Sequence, residues 1–421
     1  MTNLGVCAFQ PAQRHTLQQT LNAVDRWVAH QVPAQEKATS ARMLKVLHVI
    51  TGLGFGGAER MLTRVVCTSQ KAAAHDHVVV SLMDHGHFGQ QLVEAGAKLH
   101  TIGLERGRAG PTSLLSLCRI IRQHRPDVVM SWLYHADFLA TLAAALAGNP
   151  PLIWNLRCSD IDLSRYGRST RFVVRALSLI SKRPAAVGYN SEAGRTAHAN
   201  LGYRPKLWCA LPNGFDLEEW YPSDTERRSV REELGVASDA FVFMIAARYD
   251  PQKDHTNLLS AAATAIRSVP DMHFVLLGGG TKRLTIPQKL QGHVSVLGAR
   301  GDVQRLLRGA DAGVSASAYG EGLPNSIGEA MATGLPCVGT DVGDTARLIA
   351  NTGMIVVPRD PKGLSEALIK LAQLNPAERR RLGSAARERI GKHFSMKSAL
   401  KAYETVWEKL AHNSNKATTN S

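Results

Sequence analysis

Four side chains in the later half of the chain combine types and spacing suited to a diphosphate joined to a sugar: Arg248, Lys253, Glu321 and Glu329. The first pair lies in Ile245-Ala-Ala-Arg248-Tyr-Asp-Pro-Gln-Lys253, directly after an apolar run that reads as a strand. A planar guanidinium fork followed by an ammonium suits two adjacent phosphates. The second pair lies in Tyr319-Gly-Glu321-Gly-Leu323-Pro324-Asn325-Ser326-Ile-Gly-Glu329. Pro324 and Asn325 read as the start of a helix with Asn325 as its N-cap, and Glu329, four residues on, shares its face. The helix N-terminus offers backbone N–H groups to a phosphate. Glu329 can then accept from ribose hydroxyls, while Glu321 in the loop reaches another part of the same ligand. A lone Glu usually solvates a helix or caps a turn, and loop Arg and Lys are usually only solvated. Two Glu residues around one helix start, at a strand end of the sheet that carries the Arg–Lys loop, favour the binding reading.

The earlier half holds weaker signals. Gly52-Leu-Gly54-Phe-Gly56-Gly57 fits G-x-G-x-x-G between a strand and a helix, the pattern of a dinucleotide site, with Asp84 as a possible ribose acid. An NAD(P)-binding protein is therefore an alternative reading, but it leaves Arg248, Lys253, Glu321 and Glu329 without a role. His135 follows the apolar run ending in Trp132, at what reads as the carboxyl end of a strand. It is placed either at a ligand or as an ordinary polar residue of a helix start.

These residues need a scaffold, and the pattern supplies one. Apolar runs at 44–50, 77–82, 98–102, 128–132, 152–155 and 186–189 alternate with helical stretches, and 205–215 reads as a last strand and exit. A second round runs through 241–246, 273–277, 294–297, 312–315, 337–339 and 354–357, and two helices close the chain at 376–392 and 395–411. Near-continuous apolar strands alternating with helices predict an α/β fold: two tandem Rossmann-like, doubly wound domains facing across a cleft, with ligands beyond the carboxyl ends of the strands. The expected division is an N-terminal extension over 1–42, a first domain over 43–215, a second over 216–394, and over 395–421 a C-terminal helix packing back on the first domain, then a polar tail. The extension reads either as a mobile arm or as translation from an upstream start.

Composition narrows the class. Hydrophobic content of 44% with 20% charged residues describes a soluble globular protein, and no apolar stretch is long enough to span a bilayer. Six scattered cysteines without a C-x-x-C pair argue against zinc or a disulfide framework, and fit the cytoplasm. The net charge is +15, and its excess lies in the first domain, where 20 Lys and Arg face 10 Asp and Glu. Such asymmetry suggests an anionic partner. No nucleic-acid module accompanies it, so an anionic membrane surface is favoured over nucleic acid. The segment Ser164–Pro184 carries six basic residues and no acidic one, interleaved with apolar positions at helical spacing. It reads either as an ordinary helix with a core stripe or as a surface for the inner face of the plasma membrane.

Arg248-x4-Lys253 with Glu321-x7-Glu329, and Gly52–Arg60 near the start, resembles the retaining glycosyltransferases of family 4, the group 1 enzymes of bacterial surface-polysaccharide synthesis with the GT-B fold. The likeness runs from about Lys45 to Lys409. It implies a hexosyltransferase that moves sugar from a nucleotide diphosphate-sugar to a saccharide or lipid-linked acceptor. Arg248 and Lys253 would hold the donor diphosphate, Glu329 the ribose and Glu321 the transferred sugar. Leu323, Pro324, Asn325 and Ser326 would contact sugar and phosphate through their backbone, Arg300 would lie beside the nucleobase, and Gly56 and Gly57 would bring backbone close to the phosphates. His135 would lie near the transferred sugar. Many relatives place another His after the next strand, where this chain has Asn155-Leu-Arg157, which leaves the partner of Arg157 open. No cofactor and no divalent metal is expected, since two basic side chains take a metal's place and no suitable loop carries D-x-D. A nucleotide-sugar 2-epimerase on the same scaffold is the second alternative.

Overall fold

The computed structural model describes residues 42–104, 110–159 and 163–419. The expected extension over 1–42 lies outside them except for Arg42. Two compact units emerge: one runs to Gly214 and resumes at Met396, and the other spans Phe215–Ser395.

The first unit alternates β1 (Lys45–Ile50), α1 (Gly57–Lys71), β2 (Asp76–Ser81), α2 (Gly89–Glu94), β3 (Lys98–Thr101), α3 (Pro111–His124), β4 (Val128–Trp132) and α4 (Tyr134–Leu146). It continues with β5 (Leu152–Leu156), α5 (Arg168–Ile180), β6 (Ala186–Tyr189), α6 (Glu192–Asn200) and a short β7 (Trp208–Ala210). Of the strand expected over 205–215 only these three residues form. The strands make one parallel sheet in the order β3-β2-β1-β4-β5-β6-β7. Residues 46–50 of β1 and all of β4 are buried, as strands covered on both faces must be. The order reverses between β1 and β4, which lie side by side with Val46 opposite Val128 and Ile50 opposite Trp132.

The second unit holds α7 (Asp224–Leu234), β8 (Phe241–Ala246), α8 (His255–Ala265), β9 (Met272–Leu277), β10 (Val294–Gly298), α9 (Val303–Leu307) and β11 (Ala312–Ser315). There follow α10 (Asn325–Ala332), β12 (Cys337–Thr340), α11 (Thr345–Ile349), β13 (Met354–Val356), α12 (Pro361–Ala372) and α13 (Pro376–His393). Its parallel sheet runs β10-β9-β8-β11-β12-β13, with the reversal between β8 and β11. Both units are thus Rossmann-like α/β domains. In the second, α10 packs so closely that a Cβ on its Gly328 would overlap the ring of buried Phe215.

The last helix, α14 (Met396–Thr419), completes the first unit's core. Its Ala399, Leu400, Tyr403, Trp407 and Leu410 are buried with Val46, Ile50, Leu62, Val66 and Trp132. Beneath it a polar chain crosses the sheet. Trp132 Nε1–H donates to His48 Nδ1 at 3.3 Å, and His48 Nε2 lies 3.0 Å from His77 Nδ1. With His48 Nδ1 accepting, its Nε2 must carry the proton and donate to His77. Trp407 stands steeply inclined to the rings of His48, His75 and His77, with centroids 5.8, 5.7 and 5.6 Å apart. Burial, and then the neighbouring imidazole, holds His48 well below the usual histidine range and His77 down to about 3.

Both rings are therefore neutral in the folded protein, whereas the unfolded chain takes up protons below about pH 6.5. The stability contributed by these two rings should be constant above that value and fall as the pH drops from about 6.5 towards the folded value of about 3 for His77. The check is the thermal midpoint across this range. His77→Gln should show the flatter profile.

Candidate functional site

At the carboxyl edge of the second sheet, strands β8 and β11 diverge into loops running in opposite directions, the place where open α/β sheets bind ligands. After β8 the chain passes Arg248 and turns through Pro251–Lys253. Pro251 pre-sets the first φ of this turn. The Asp250 carboxylate accepts from the Gln252 N–H at 2.9 Å and from Arg248 Nε at 3.2 Å. Asp254 then adopts a left-handed φ of 47° and caps α8, accepting from the Asn257 N–H at 3.2 Å.

The loop after β11 is fastened to that turn. The Ala318 N–H donates to the Gln252 carbonyl at 2.8 Å, and Lys253 Nζ donates to Glu321 Oε1. The same carboxylate oxygen accepts from Ser317 Oγ at 2.6 Å, and the Ser317 carbonyl accepts from Thr340 Oγ1 at the end of β12 at 2.6 Å. Glu321 is buried, and a Cβ on Gly343, at φ 61°, would overlap its carbonyl. Asp344 N–H donates to the Gly322 carbonyl at 2.9 Å, and Leu323 is buried just before α10. Arg248, half-exposed, also donates to Gln252 Oε1 at 3.4 Å.

Asn325 is not the N-cap. Pro324 occupies that position with φ −70° and ψ 115°, its carbonyl accepts from the Gly328 N–H at 3.2 Å, and Asn325 is the first helical residue. Proline's fixed φ suits an extended cap as well as a first turn, so the helix begins one residue earlier than expected. Ser326 follows it, and Glu329 lies buried one turn deeper. Arg248, Lys253, Glu321 and the start of α10 therefore share one sheet edge. Arg300 stands at the end of β10, where its Nε and Nη2 donate to Asp302 at 2.7 and 2.8 Å and Nη2 also to Glu233 at 3.1 Å. These bonds, shared with Arg305, hold the Asp302 carboxyl well below the usual carboxylate range.

In the first unit Gly56 is the extended N-cap of α1 and Gly57 its first residue. His135 sits in the first turn of α4, half-buried, with Nε2 3.4 Å from Ser169 Oγ at the start of α5. Burial holds its pKa below the ordinary value. Just before it Leu133 adopts φ 74° and ψ 150°, a region nearly reserved for glycine, and such strain persists mainly where function maintains it. Arg157 turns into the domain: Nη1 donates to the Leu211 carbonyl at 3.0 Å, and its guanidinium packs 5.1 Å over the Trp132 ring. Ser317, Gln252 and Gly343 escaped the sequence reading. Only Gly343 carried a signal, as a glycine just past a strand.

Residues 55–219 match the family model Glycosyltransferase Family 4, and residues 240–373 match Glycosyl transferases group 1. The chain carries two glycosyltransferase domains. It is 26% identical over 271 residues to the Escherichia coli UDP-Gal:alpha-D-GlcNAc-diphosphoundecaprenol alpha-1,3-galactosyltransferase, covering 62% of this chain and 70% of that one. It is 27% identical to the putative glycosyltransferase EpsF of Bacillus subtilis, over 74% of this chain and 82% of the relative. Among solved structures, Anabaena HepE in complex with UDP and glucose superposes with a TM-score of 0.76 at 20% identity, over 87% of this chain and all of that one. WaaG, a glycosyltransferase involved in lipopolysaccharide biosynthesis, gives 0.65 at 17%, over 85% and 98%. These neighbours share the GT-B fold, so the glycosyltransferase domains here are the two halves of that architecture.

The Lys253–Glu321 pair sits in a largely dehydrated setting, with side chains 18% and 10% exposed. Removing one partner leaves the other charge uncompensated, so Lys253→Met should cost about 3 kcal/mol of stability. Adding Glu321→Gln should recover most of it. Chemical denaturation of both singles and the double variant reads the coupling.

Proposed function

We propose that this glycosyltransferase is a retaining hexosyltransferase that moves a sugar from a nucleotide diphosphate-sugar to a saccharide or lipid-linked acceptor. One observation carries the reading: the Arg248–Lys253 turn and the Glu321 loop are bound together at the strand-order reversal, beside the start of α10. On this reading the donor diphosphate takes the Lys253 ammonium and the Arg248 fork, the α10 N-terminus faces a phosphate, and Glu329 accepts from the ribose. Released from Lys253, Glu321 accepts from hydroxyls of the transferred sugar.

Chemistry then follows charge. The bond from the anomeric carbon to the leaving phosphate oxygen breaks, leaving an oxocarbenium-like centre. The acceptor hydroxyl bonds to that carbon on the face just vacated, and its proton passes to the leaving phosphate oxygen. Negative charge grows on the diphosphate, where Arg248, Lys253 and the helix dipole stabilise it without a divalent metal. UDP-linked sugars are the first donors to try, since relatives named above use UDP-Gal or bind UDP. Incubation with UDP-, GDP- and ADP-sugars, with and without EDTA, distinguishes transfer from epimerisation and from binding alone. Transfer should survive EDTA and keep the anomeric configuration by NMR. Lys253→Ala and Arg248→Ala should each lose about 10²-fold or more in turnover. Near-normal rates in both would refute the assignment.

The acceptor side of the proposal places the enzyme on the inner face of the membrane. Among the described residues no helix is long and apolar enough to cross a bilayer. Helix α5 carries two faces: Val173, Val174 and Leu177 are buried, while Arg168, Phe172, Arg175 and Leu179 recur at i, i+4, i+7 and i+11 on the opposite side. There Phe172 is 67% and Leu179 86% exposed. The apolar stripe that feeds the core is therefore not the one between the arginines, which supports contact with anionic lipid. The names of the Escherichia coli relative and of a Campylobacter jejuni relative, an N-acetylgalactosaminyltransferase, include diphosphoundecaprenol or diphospho-undecaprenol. The protein should co-sediment with phosphatidylglycerol-containing vesicles and not with neutral ones, and Arg168→Glu/Arg175→Glu should abolish this. Equal binding to both vesicle types would remove the membrane from the proposal.

A further inference from the structure

The Gly-rich loop after β1 presents an aromatic ring that the donor chemistry does not use. Phe55 is 61% exposed, and its ring stacks on that of His87 with centroids 3.8 Å apart and planes 25° from parallel. His87 in turn meets the buried Phe88 edge-on at 4.8 Å, so the stack is rooted in the domain core.

Backbone holds the two rings in register. Phe88 N–H donates to the Leu53 carbonyl at 3.0 Å, and Met83 N–H donates to Thr51 at 3.1 Å. Gly86, at φ 53°, lies so close that a Cβ would overlap the Leu53 carbonyl, and its N–H donates to Asp84 Oδ1 at 3.1 Å. Ser81 Oγ donates to the Asp84 carbonyl at 2.7 Å. A single exposed aromatic on a mobile loop means little. An exposed aromatic fixed by a partner ring, at the ligand end of the sheet and beside Gly56 and Gly57, is a preformed contact surface.

We propose that Phe55, backed by His87, is the stacking platform for a pyranose ring of the acceptor saccharide. The flat face of a pyranose is a patch of C–H groups bounded by hydroxyls. It covers an aromatic ring while its hydroxyls stay in water. The inference rests on the transfer reading above and deepens it: the family resemblance gives the backbone at Gly56 and Gly57 to the donor phosphates and leaves the Phe55 ring beside them to the acceptor. It assigns Phe55 to acceptor binding and not to catalysis.

The test uses the full chain and saturation-transfer NMR with methyl α-D-N-acetylglucosaminide and methyl α-D-glucoside as probes, with and without saturating UDP. Saturation should concentrate on the C–H protons of one ring face and persist with UDP present. Phe55→Ala should reduce it at least about fivefold, and Phe55→Trp should retain it, since the larger ring keeps the stacking face. A UDP thermal shift equal to wild type in both variants shows that fold and donor site are intact. No signal from wild type, an unchanged signal in Phe55→Ala, or loss of the signal on adding UDP would each overturn the platform. Failure of the transfer reading shows instead as a missing UDP shift in wild type.

Discussion

Strands β8 and β11 pair through only two residues of each, Ala312 with Phe243 and Gly313 with Met244. Beyond that short ladder their loops would part, and the 2.8 Å bond from Ala318 to the Gln252 carbonyl is what keeps them together. Everything at this edge hangs on it. With the backbone tied, Lys253 reaches Glu321 across 68 residues of sequence, Ser317 donates to the same carboxylate, and Thr340 anchors the Ser317 carbonyl.

A dehydrated ion pair is a poor source of stability, because the loss of water nearly cancels the attraction. Its value here is positional. On the proposed reading, a lysine held by one carboxylate in a water-poor loop exchanges that partner for a more highly charged phosphate without rebuilding the loop. Arg248 is arranged likewise, resting on Asp250 in its own turn. Neither cation needs to be gathered from solution, so little ordering remains for the binding step.

Much of this was legible in the residues alone. Continuous apolar runs at 241–246 and 312–315 leave few options besides buried parallel strands, and Arg248 and Glu321 then fall at strand ends by counting. The start of α10 was misread by one residue because Asn favours a cap by chemistry while Pro324 claims it by geometry. Arg157 was undecidable in sequence, since its neighbours, Trp132 and the Leu211 carbonyl, lie 25 and 54 residues away. The strain at Leu133 had no sequence signal: leucine is the last residue that a positive φ would suggest. Side-chain partners set by tertiary contact are what sequence spacing does not encode.

The first domain borrows the end of the chain. Trp407 and Tyr403 are fully buried in it, against strands laid down more than 270 residues earlier. During synthesis, β1 to β7 leave the ribosome with that surface uncovered while the whole second domain is made. His48, His77 and Trp132 must wait, wet and unsealed, until α14 arrives. The nascent protein thus has an early half that finishes last, and a chaperone has its longest opportunity there.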